Sequence, residues 1–281
     1  MASPELSYCG QEVRRHDNDR FLTALFAPAD AREDLFALYA FNMEVAKTRE
    51  VVSQPILGQI RLQWWRESVE GIFAGTPRQH EVVQPLARAV ARAGLSRHLL
   101  DTVIDAREAD LDDAPPASLP CLVSYAEATS APLVQLALEA LGVREEAARA
   151  AGRHVGIAYA LSGILRAVPF LARAHRTRLP ADRMAALGVV EPMLYDLKPH
   201  PGLNAVAAEV AAEARRHLGE ARALRGGVPR AALPALLPAT LAELYLDALA
   251  KAGYDPFADR LRLPHPLRQA KLGWRALTGR W

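Results

Sequence analysis

Apolar residues recur every three or four positions along nearly the whole chain, and this spacing limits most strongly what the sequence can fold into. In the segment 30–52, for example, Leu35, Leu38, Asn42 and Val45 fall on one stripe of a helix. No stretch alternates apolar and polar residues for long enough to predict a strand. Because 51% of the 281 residues are hydrophobic, the chain can bury a large core without disulfides. The sequence therefore predicts an all-α fold.

Glycine and proline residues separate the predicted helices from one another. No low-complexity linker divides the chain, so we expect about ten helices in a single domain over residues 1–281. The predicted helices cover residues 30–52, 55–75, 80–94, 96–113, 119–142, 145–174, 205–224, 233–253 and 266–279.

Charge and cysteine content exclude several classes of function. Thirty-four basic residues against 32 acidic ones give a net charge of +2, so no nucleic-acid partner is expected. Cys9 and Cys121 belong to no CxxC or Cys/His cluster, and the histidines show no paired ligand spacing, so neither structural zinc nor a disulfide framework is expected. With no signal peptide and no apolar run of about 20 residues, we expect a cytoplasmic protein, at most peripheral on the inner membrane.

Several segments, in the same order along the chain, resemble the squalene/phytoene synthase family. The resemblance implies an isoprenoid synthase fold, a single helical bundle with a central cavity. It also implies the condensation of prenyl diphosphates, with Mg²⁺ held by aspartates on two facing helices. The matching segments are Ala37-Leu-Tyr-Ala-Phe41, Arg61-Leu-Gln-Trp-Trp-Arg66, residues 125–142, Leu161-Ser-Gly-Ile-Leu-Arg166 and Arg176-Thr-Arg-Leu-Pro180.

Both groups of aspartates that the resemblance implies are largely missing. The first position reads Ala46-Lys-Thr-Arg-Glu50, and the second reads Ala167-Val-Pro-Phe-Leu171, so Glu50 is the one carboxylate kept. Mg²⁺ requires hard oxygen ligands, usually carboxylates together with phosphate oxygens. We therefore expect no cofactor and no ordinary condensation. The alternative is a head-to-head prenyltransferase that holds Mg²⁺ through relocated ligands, Glu50 and Asp110.

The segments that depart from the synthases resemble another branch of the family. Residues 36–47, 104–113 and 165–169 are similar to the mitochondrial respiratory complex I assembly factor with a squalene/phytoene-synthase-like fold. That resemblance implies a non-catalytic or catalytically altered protein that acts in respiratory-complex biogenesis. The implied partners are assembly intermediates of the complex, a membrane surface, and an isoprenoid or lipid in the former prenyl cavity.

No catalytic residue is predicted, and the segments that resemble the synthase cavity supply candidate ligand contacts. Arg166 has two open interpretations: a contact to an anion, or a structural ion pair, for instance with Glu50. For a metal ion the candidates are Glu50, Asp105 and Asp110, although the acidic run 105–113 fits a solvated helix end better. The candidate cavity residues are Tyr39, Asn42, Glu50, Arg61, Trp65, Arg166 and Arg178.

The segment 260–281 carries six basic residues and no acidic one. Leu267, Trp274, Leu277 and Trp281 form one apolar helix edge, and such a basic amphipathic helix is typical of proteins that lie on anionic membranes. The alternative is a last helix that docks on the domain with its arginines in water. The candidate membrane contacts are Arg268, Lys271, Trp274, Arg275 and Trp281.

Overall fold

The computed structural model describes residues 6–261 and 263–281, and within these ranges it contains fifteen α-helices, four short 3-10 helices and no strand. The predicted all-α fold is confirmed. The helices are α1 (Tyr8–His16), α2 (Asn18–Ala24), α3 (Ala29–Ala46), α4 (Thr48–Val51), α5 (Pro55–Phe73), α6 (Val83–Ala93), α7 (Arg97–Asp105), α8 (Leu119–Ala140), α9 (Glu146–Arg173), α10 (Ala181–Ala186), α11 (Glu191–Tyr195), α12 (Pro201–Ala223), α13 (Leu233–Leu236), α14 (Pro238–Lys251) and α15 (Arg268–Thr278).

Three of the predicted helices are divided in the structure. The segment predicted at 30–52 is interrupted at Lys47, and the one at 96–113 continues after α7 as the 3-10 helix Ala106–Leu111. The segment at 233–253 breaks before Pro238, which has no N–H to donate, and the two parts are bent by 43°. The apolar spacing continues on both sides of such breaks, so the sequence pattern does not mark them.

Four short helices, α1, α2, α10 and α11, lie in segments for which no helix was predicted. Side-chain capping explains two of these starts. The Ser7 hydroxyl accepts a hydrogen bond from the amide of Gly10 at 3.1 Å, and the Asp17 carboxylate accepts one from the amide of Arg20 at 3.2 Å. These caps satisfy amides that have no partner within the first turn of a helix.

The central element is α9, which packs against α8, α12 and α14. By length and composition α9 could cross a membrane, contrary to the expectation that no segment is apolar enough. Half of its most apolar window is buried inside the fold, as in the core helix of a globular protein. The carboxyl-terminal half of α9 carries the second segment at which the resemblance implies aspartates.

The first such segment follows α3, whose residues from Leu35 to Asn42 are all buried. Trp65 on α5 packs edge-on against Phe41, with ring centroids 5.5 Å apart and an interplanar angle of 76°. This contact places α5 beside the carboxyl-terminal turns of α3. The apolar core thus fixes α3, directly before the first segment, and α9, which carries the second.

Candidate functional site

At the end of α3, two positively charged side chains hold the carboxylate of Glu44. The Lys47 ammonium bonds one carboxylate oxygen of Glu44, and Arg61 donates to the other at 2.7 Å. Glu50, the carboxylate predicted to remain for a ligand, is exposed. Arg61, expected in the cavity, therefore serves as an ion-pair partner of Glu44.

On α9, the segment from Ala167 to Leu171 brings no oxygen ligand to the fold. Pro169 lies within the helix, and the Phe170 ring is 70% exposed. Mg²⁺ binding in the family manner requires several carboxylates. The first segment offers one exposed glutamate beside Lys47 and Arg49, and the second offers five apolar residues. The residues present do not fit that metal site.

A buried carboxylate, Asp19 on α2, collects groups from three other helices. We call Asp19, Arg166, Tyr245 and Arg268 the Asp19 cluster. Arg268 donates to Oδ1 at 2.9 Å, Arg166 donates to Oδ2 at 3.2 Å, and the Tyr245 hydroxyl also donates to Oδ2. Burial, followed by the charge of Asp19, raises the pKa of the Tyr245 hydroxyl.

The Asp19 cluster supplies an ion-pair partner for Arg166. Its guanidinium stacks over the Tyr245 ring, 3.8 Å from the centroid, and pairs with Asp19. Arg166 is thus part of a structural ion pair, and the suggested partner Glu50 was wrong. The partner was missed because Asp19 lies 147 residues earlier in the chain, with no spacing to connect them.

Asp110 is the centre of a second closed network, which we call the Asp110 cluster (Arg107, Asp110, Tyr125 and Arg178). Oδ1 accepts from the Tyr125 hydroxyl at 2.6 Å and from Arg178 at 3.1 Å, and Oδ2 accepts from Arg107 at 3.3 Å. Burial is the main cause that raises the pKa of Tyr125 to about 12. Both oxygens of Asp110 are therefore engaged by the protein itself.

Asp105, the other acidic candidate for a metal, lies at the surface. It accepts a hydrogen bond from Arg66 at 2.8 Å, and Glu108 accepts from the same guanidinium at 2.5 Å. The acidic run is thus divided between the buried Asp110 and a solvated face. The sequence predicted one helix over 96–113 and did not anticipate the change from α-helix to 3-10 helix after Asp105.

The remaining cavity candidates lie deep in the interior. Tyr39 is buried under the Arg20 guanidinium, which lies 5.7 Å from the ring centroid, and burial raises the pKa of Tyr39 to about 12. Asn42 and Trp65 are also buried, and in the part of the chain that the structure describes Asn42 Oδ1 and Trp65 Nε1 have no hydrogen-bond partner. These two atoms keep an unused capacity for hydrogen bonds.

An apolar pocket of about 620 Å³ lies beside the second segment, between α9, α14 and residues 256–261 and 263–266. Arg166, Arg173 and Arg260 are among the residues that line it. Of the seven candidate cavity residues, Arg166 lines this pocket. The other walls of the pocket come from distant parts of the chain, which leave no local sequence pattern. Its lining includes Leu165, Pro169, Phe170, Leu197, Leu249, Pro256, Phe257, Leu261, Leu263 and His265.

The carboxyl-terminal helix α15 docks on the domain. Arg275 donates to Glu243 at 3.1 Å, Arg268 belongs to the Asp19 cluster, and the Trp281 side chain is only 2% exposed. Trp281 is buried, and Arg268 and Arg275, 17% and 28% exposed, pair with carboxylates of the domain. All three are engaged by the protein itself, contrary to their assignment as membrane contacts. The prediction placed Trp281 on the apolar edge because it extended the helix past Gly279. The left-handed backbone conformation of Gly279 ends α15.

The opposite side of α15 remains exposed and apolar. Trp274 is 68% exposed and Leu277 is 76% exposed, and Lys271 lies on the same helix in contact with solvent. Leu263 and Leu267, which precede the helix, are also exposed. Lys271 and Trp274 thus keep the accessibility that the membrane interpretation requires.

These features define an all-α protein of the isoprenoid synthase class in which the two segments expected to carry aspartates contain one glutamate and no aspartate. The sequence profile described as squalene/phytoene synthase matches residues 13–269, and the chain belongs to that family. The resemblance on which the fold was predicted is confirmed.

The chain is similar to members of both branches. It is 33% identical over 271 residues to "NADH dehydrogenase (ubiquinone) complex I, assembly factor 6" of Rattus norvegicus, covering 95% of this chain and 81% of the relative. It is 23% identical to presqualene diphosphate synthase of Sinorhizobium fredii, covering 87% and 88%. The solved squalene synthase of Alicyclobacillus acidocaldarius shares the fold with a TM-score of 0.78 at 19% identity, covering 88% and 94%.

Proposed function

We propose that this protein is a factor in the assembly of respiratory complex I that does not condense prenyl diphosphates. The observation that carries the proposal is the replacement of the metal-binding segments: Lys47 is paired with Glu44 at the first, and Pro169 and Phe170 occupy the second. A lysine where a ligand is expected would repel Mg²⁺, so no metal ion would be held there to stabilise the negative charge of a departing diphosphate. The 33% identity to a relative named as an assembly factor supports the same conclusion.

The test is genetic, with a matched enzymatic assay. In cells that lack the gene, we expect membranes to lose most of their assembled complex I, measured by native gel electrophoresis and NADH:ubiquinone activity. Expression of the chain should restore both, and Glu50→Gln should restore them equally, because that carboxylate holds no metal.

The enzymatic assay uses the purified chain with farnesyl or geranylgeranyl diphosphate and Mg²⁺. We expect no hydrocarbon or cyclopropyl diphosphate product, with an active family synthase as the positive control. Steady turnover that Glu50→Gln abolishes would contradict the proposal and favour the prenyltransferase with relocated ligands. Normal complex I in the deletion strain would refute the role in assembly.

We infer that the apolar pocket beside α9 takes an isoprenoid or another single-chain lipid with an anionic head group. Its volume of about 620 Å³ suits one extended hydrocarbon chain. Arg173 and Arg260 on its walls form no ion pair within the residues that the structure describes, so they can approach an anion. Native mass spectrometry that finds no lipid on freshly purified protein, or on protein mixed with lipid phosphate, would contradict this inference.

We also propose that the protein lies on the membrane surface through the exposed side of α15. Because Trp274 and Leu277 are exposed and apolar, burying them in the interface would contribute about 1.5–3 kcal/mol each. We expect Trp274→Ala with Leu277→Ala to weaken binding to vesicles that contain phosphatidylglycerol by at least tenfold, measured by co-sedimentation. Deleting the whole helix is a poorer test, since it would also remove Arg268 from the Asp19 cluster.

The matched control for that experiment is Ile60→Ala, which removes an apolar side chain that is 60% exposed on α5. It should leave vesicle binding unchanged. Equal loss of binding in both variants would indicate non-specific hydrophobic adsorption, and unchanged binding of the double variant would exclude α15 as the contact.

A further inference from the structure

Away from the pocket and both aspartate segments, two histidines meet between α9 and α12. His154 Nδ1 and His217 Nδ1 lie 2.8 Å apart, and Glu220 Oε2 lies 3.1 Å from His154 Nδ1. The His217 side chain is 4% exposed and the His154 side chain 16%, whereas Glu220 is 41% exposed. The three ligand atoms all lie within 4.8 Å of one another. The three atoms therefore surround one point that is buried on the side of His217 and accessible to solvent on the side of Glu220.

The chemistry of this donor set is that of a transition-metal site. Two imidazole nitrogens and one carboxylate oxygen are a common ligand set for zinc, whose fourth position is then taken by water. In tetrahedral zinc, ligand atoms lie about 3.3 Å apart, so the observed separations need only small side-chain adjustments. Burial is the main cause that lowers the pKa of both imidazoles, which leaves neutral rings with lone pairs at neutral pH.

Two neighbouring side chains, Arg216 and Glu213, hold the ligands in the required orientation. Arg216 bonds Oε1 of Glu220 and so leaves Oε2 directed toward His154. Glu213 Oε1 lies 3.4 Å from His217 Nε2 and can accept its proton, which frees Nδ1 as a ligand. A carboxylate behind a histidine is the usual outer partner of a metal-bound imidazole.

We propose that His154, His217 and Glu220 bind one zinc ion, which joins α9 to α12. The site is separate from the family's aspartate segments and does not depend on the proposed role in assembly. The sequence offered only a faint sign of it, the i, i+3 spacing of His217 and Glu220 on one helix. His154 lies 63 residues earlier, so no local spacing could reveal the set.

The competing arrangement needs no metal. If Arg216, whose Nη2 lies 3.0 Å from His217 Nε2, donates to that nitrogen, the proton of His217 moves to Nδ1. His217 Nδ1 then donates to His154 Nδ1, and a plain hydrogen bond explains the close approach. The two arrangements differ in whether zinc binds, which makes them separable by experiment.

The experiment measures zinc on chelator-treated full-length protein that carries Cys121→Ser, which removes the one exposed thiol. We expect one zinc per chain by titration calorimetry and elemental analysis, and a rise in melting temperature on addition of ZnCl₂. His154→Gln should abolish the one-to-one binding and the rise. Glu213→Gln should weaken the affinity by about 10–100-fold without removing a ligand.

The control is His98→Gln, which removes an exposed histidine and should bind zinc as the parent does. Circular dichroism of each variant separates lost ligands from lost folding. Failure of the parent to bind zinc stoichiometrically would overturn the proposal in favour of the hydrogen-bonded pair. Equal affinity in the parent and His154→Gln would overturn it in favour of adventitious zinc.

Discussion

Asp110→Ala is expected to lower the free energy of unfolding by about 3–5 kcal/mol, because it leaves buried positive charges without a counter-charge. Arg107 and Arg178 are 15% and 11% exposed, and the Tyr125 hydroxyl would lose its acceptor as well. The Asp110 carboxylate supplies the counter-charge that compensates the desolvation of both arginines, and Arg178 also donates to the Ala109 carbonyl at 3.1 Å. Urea denaturation followed by circular dichroism measures the change.

The matched control is Asp112→Ala, two residues later on the exposed side of the same segment. It removes one acceptor for the amide of Ala114 and should change stability by no more than about 1 kcal/mol. Asp110→Asn keeps the volume and one acceptor, so it should fall between the two and remain folded. A fully stable Asp110→Ala would contradict the structural role and reopen the residue as a metal ligand.

Gly156→Ala is expected to destabilise the protein by about 1–3 kcal/mol, although alanine favours helices over glycine. A Cβ at this position would lie 2.7 Å from Ala131 Cα and 2.9 Å from its backbone nitrogen. These atoms belong to the backbone of α8 and cannot move aside as a flexible side chain would. The two helices must therefore separate, and the packing around Ala131 is lost.

Gly163→Ala on the same helix supplies the control. A Cβ there meets nothing within 4 Å, so the gain in helix propensity should stabilise the protein by about 0.5–1 kcal/mol. Thermal and urea denaturation of both variants should give stability changes of opposite sign. That difference isolates the effect of the close approach of α8 and α9. Stabilisation by Gly156→Ala would show that the helices can separate freely.

Periodicity predicted the long helices because their buried faces repeat at helical spacing, and the absence of carboxylates was visible in the sequence itself. The side-chain networks were not predictable in the same way. Arg166 was expected to be a buried cation in need of an anion, but its side chain is 43% exposed. Its partner Asp19 lies in α2, where no helix was expected. Complementary charges far apart in a chain leave no local pattern.

The same limit explains the errors in the last helix. Basic residues at Arg268 and Arg275 were assigned to a membrane, since composition does not reveal that Asp19 and Glu243 face them. Breaks such as the one before Pro238 shift the helix faces and alter which side is buried. The spacing of residues in the sequence predicts which face of a helix each one occupies only while that helix is continuous.

The Asp19 cluster has a consequence for the order in which a nascent chain can complete its fold. Asp19 leaves the ribosome early, but Tyr245 and Arg268 follow 226 and 249 residues later. Until they emerge, burying Asp19 would leave its carboxylate without most of its partners. The amino-terminal helices therefore complete their final packing only after the segment around Arg268 has been synthesised and has reached Asp19.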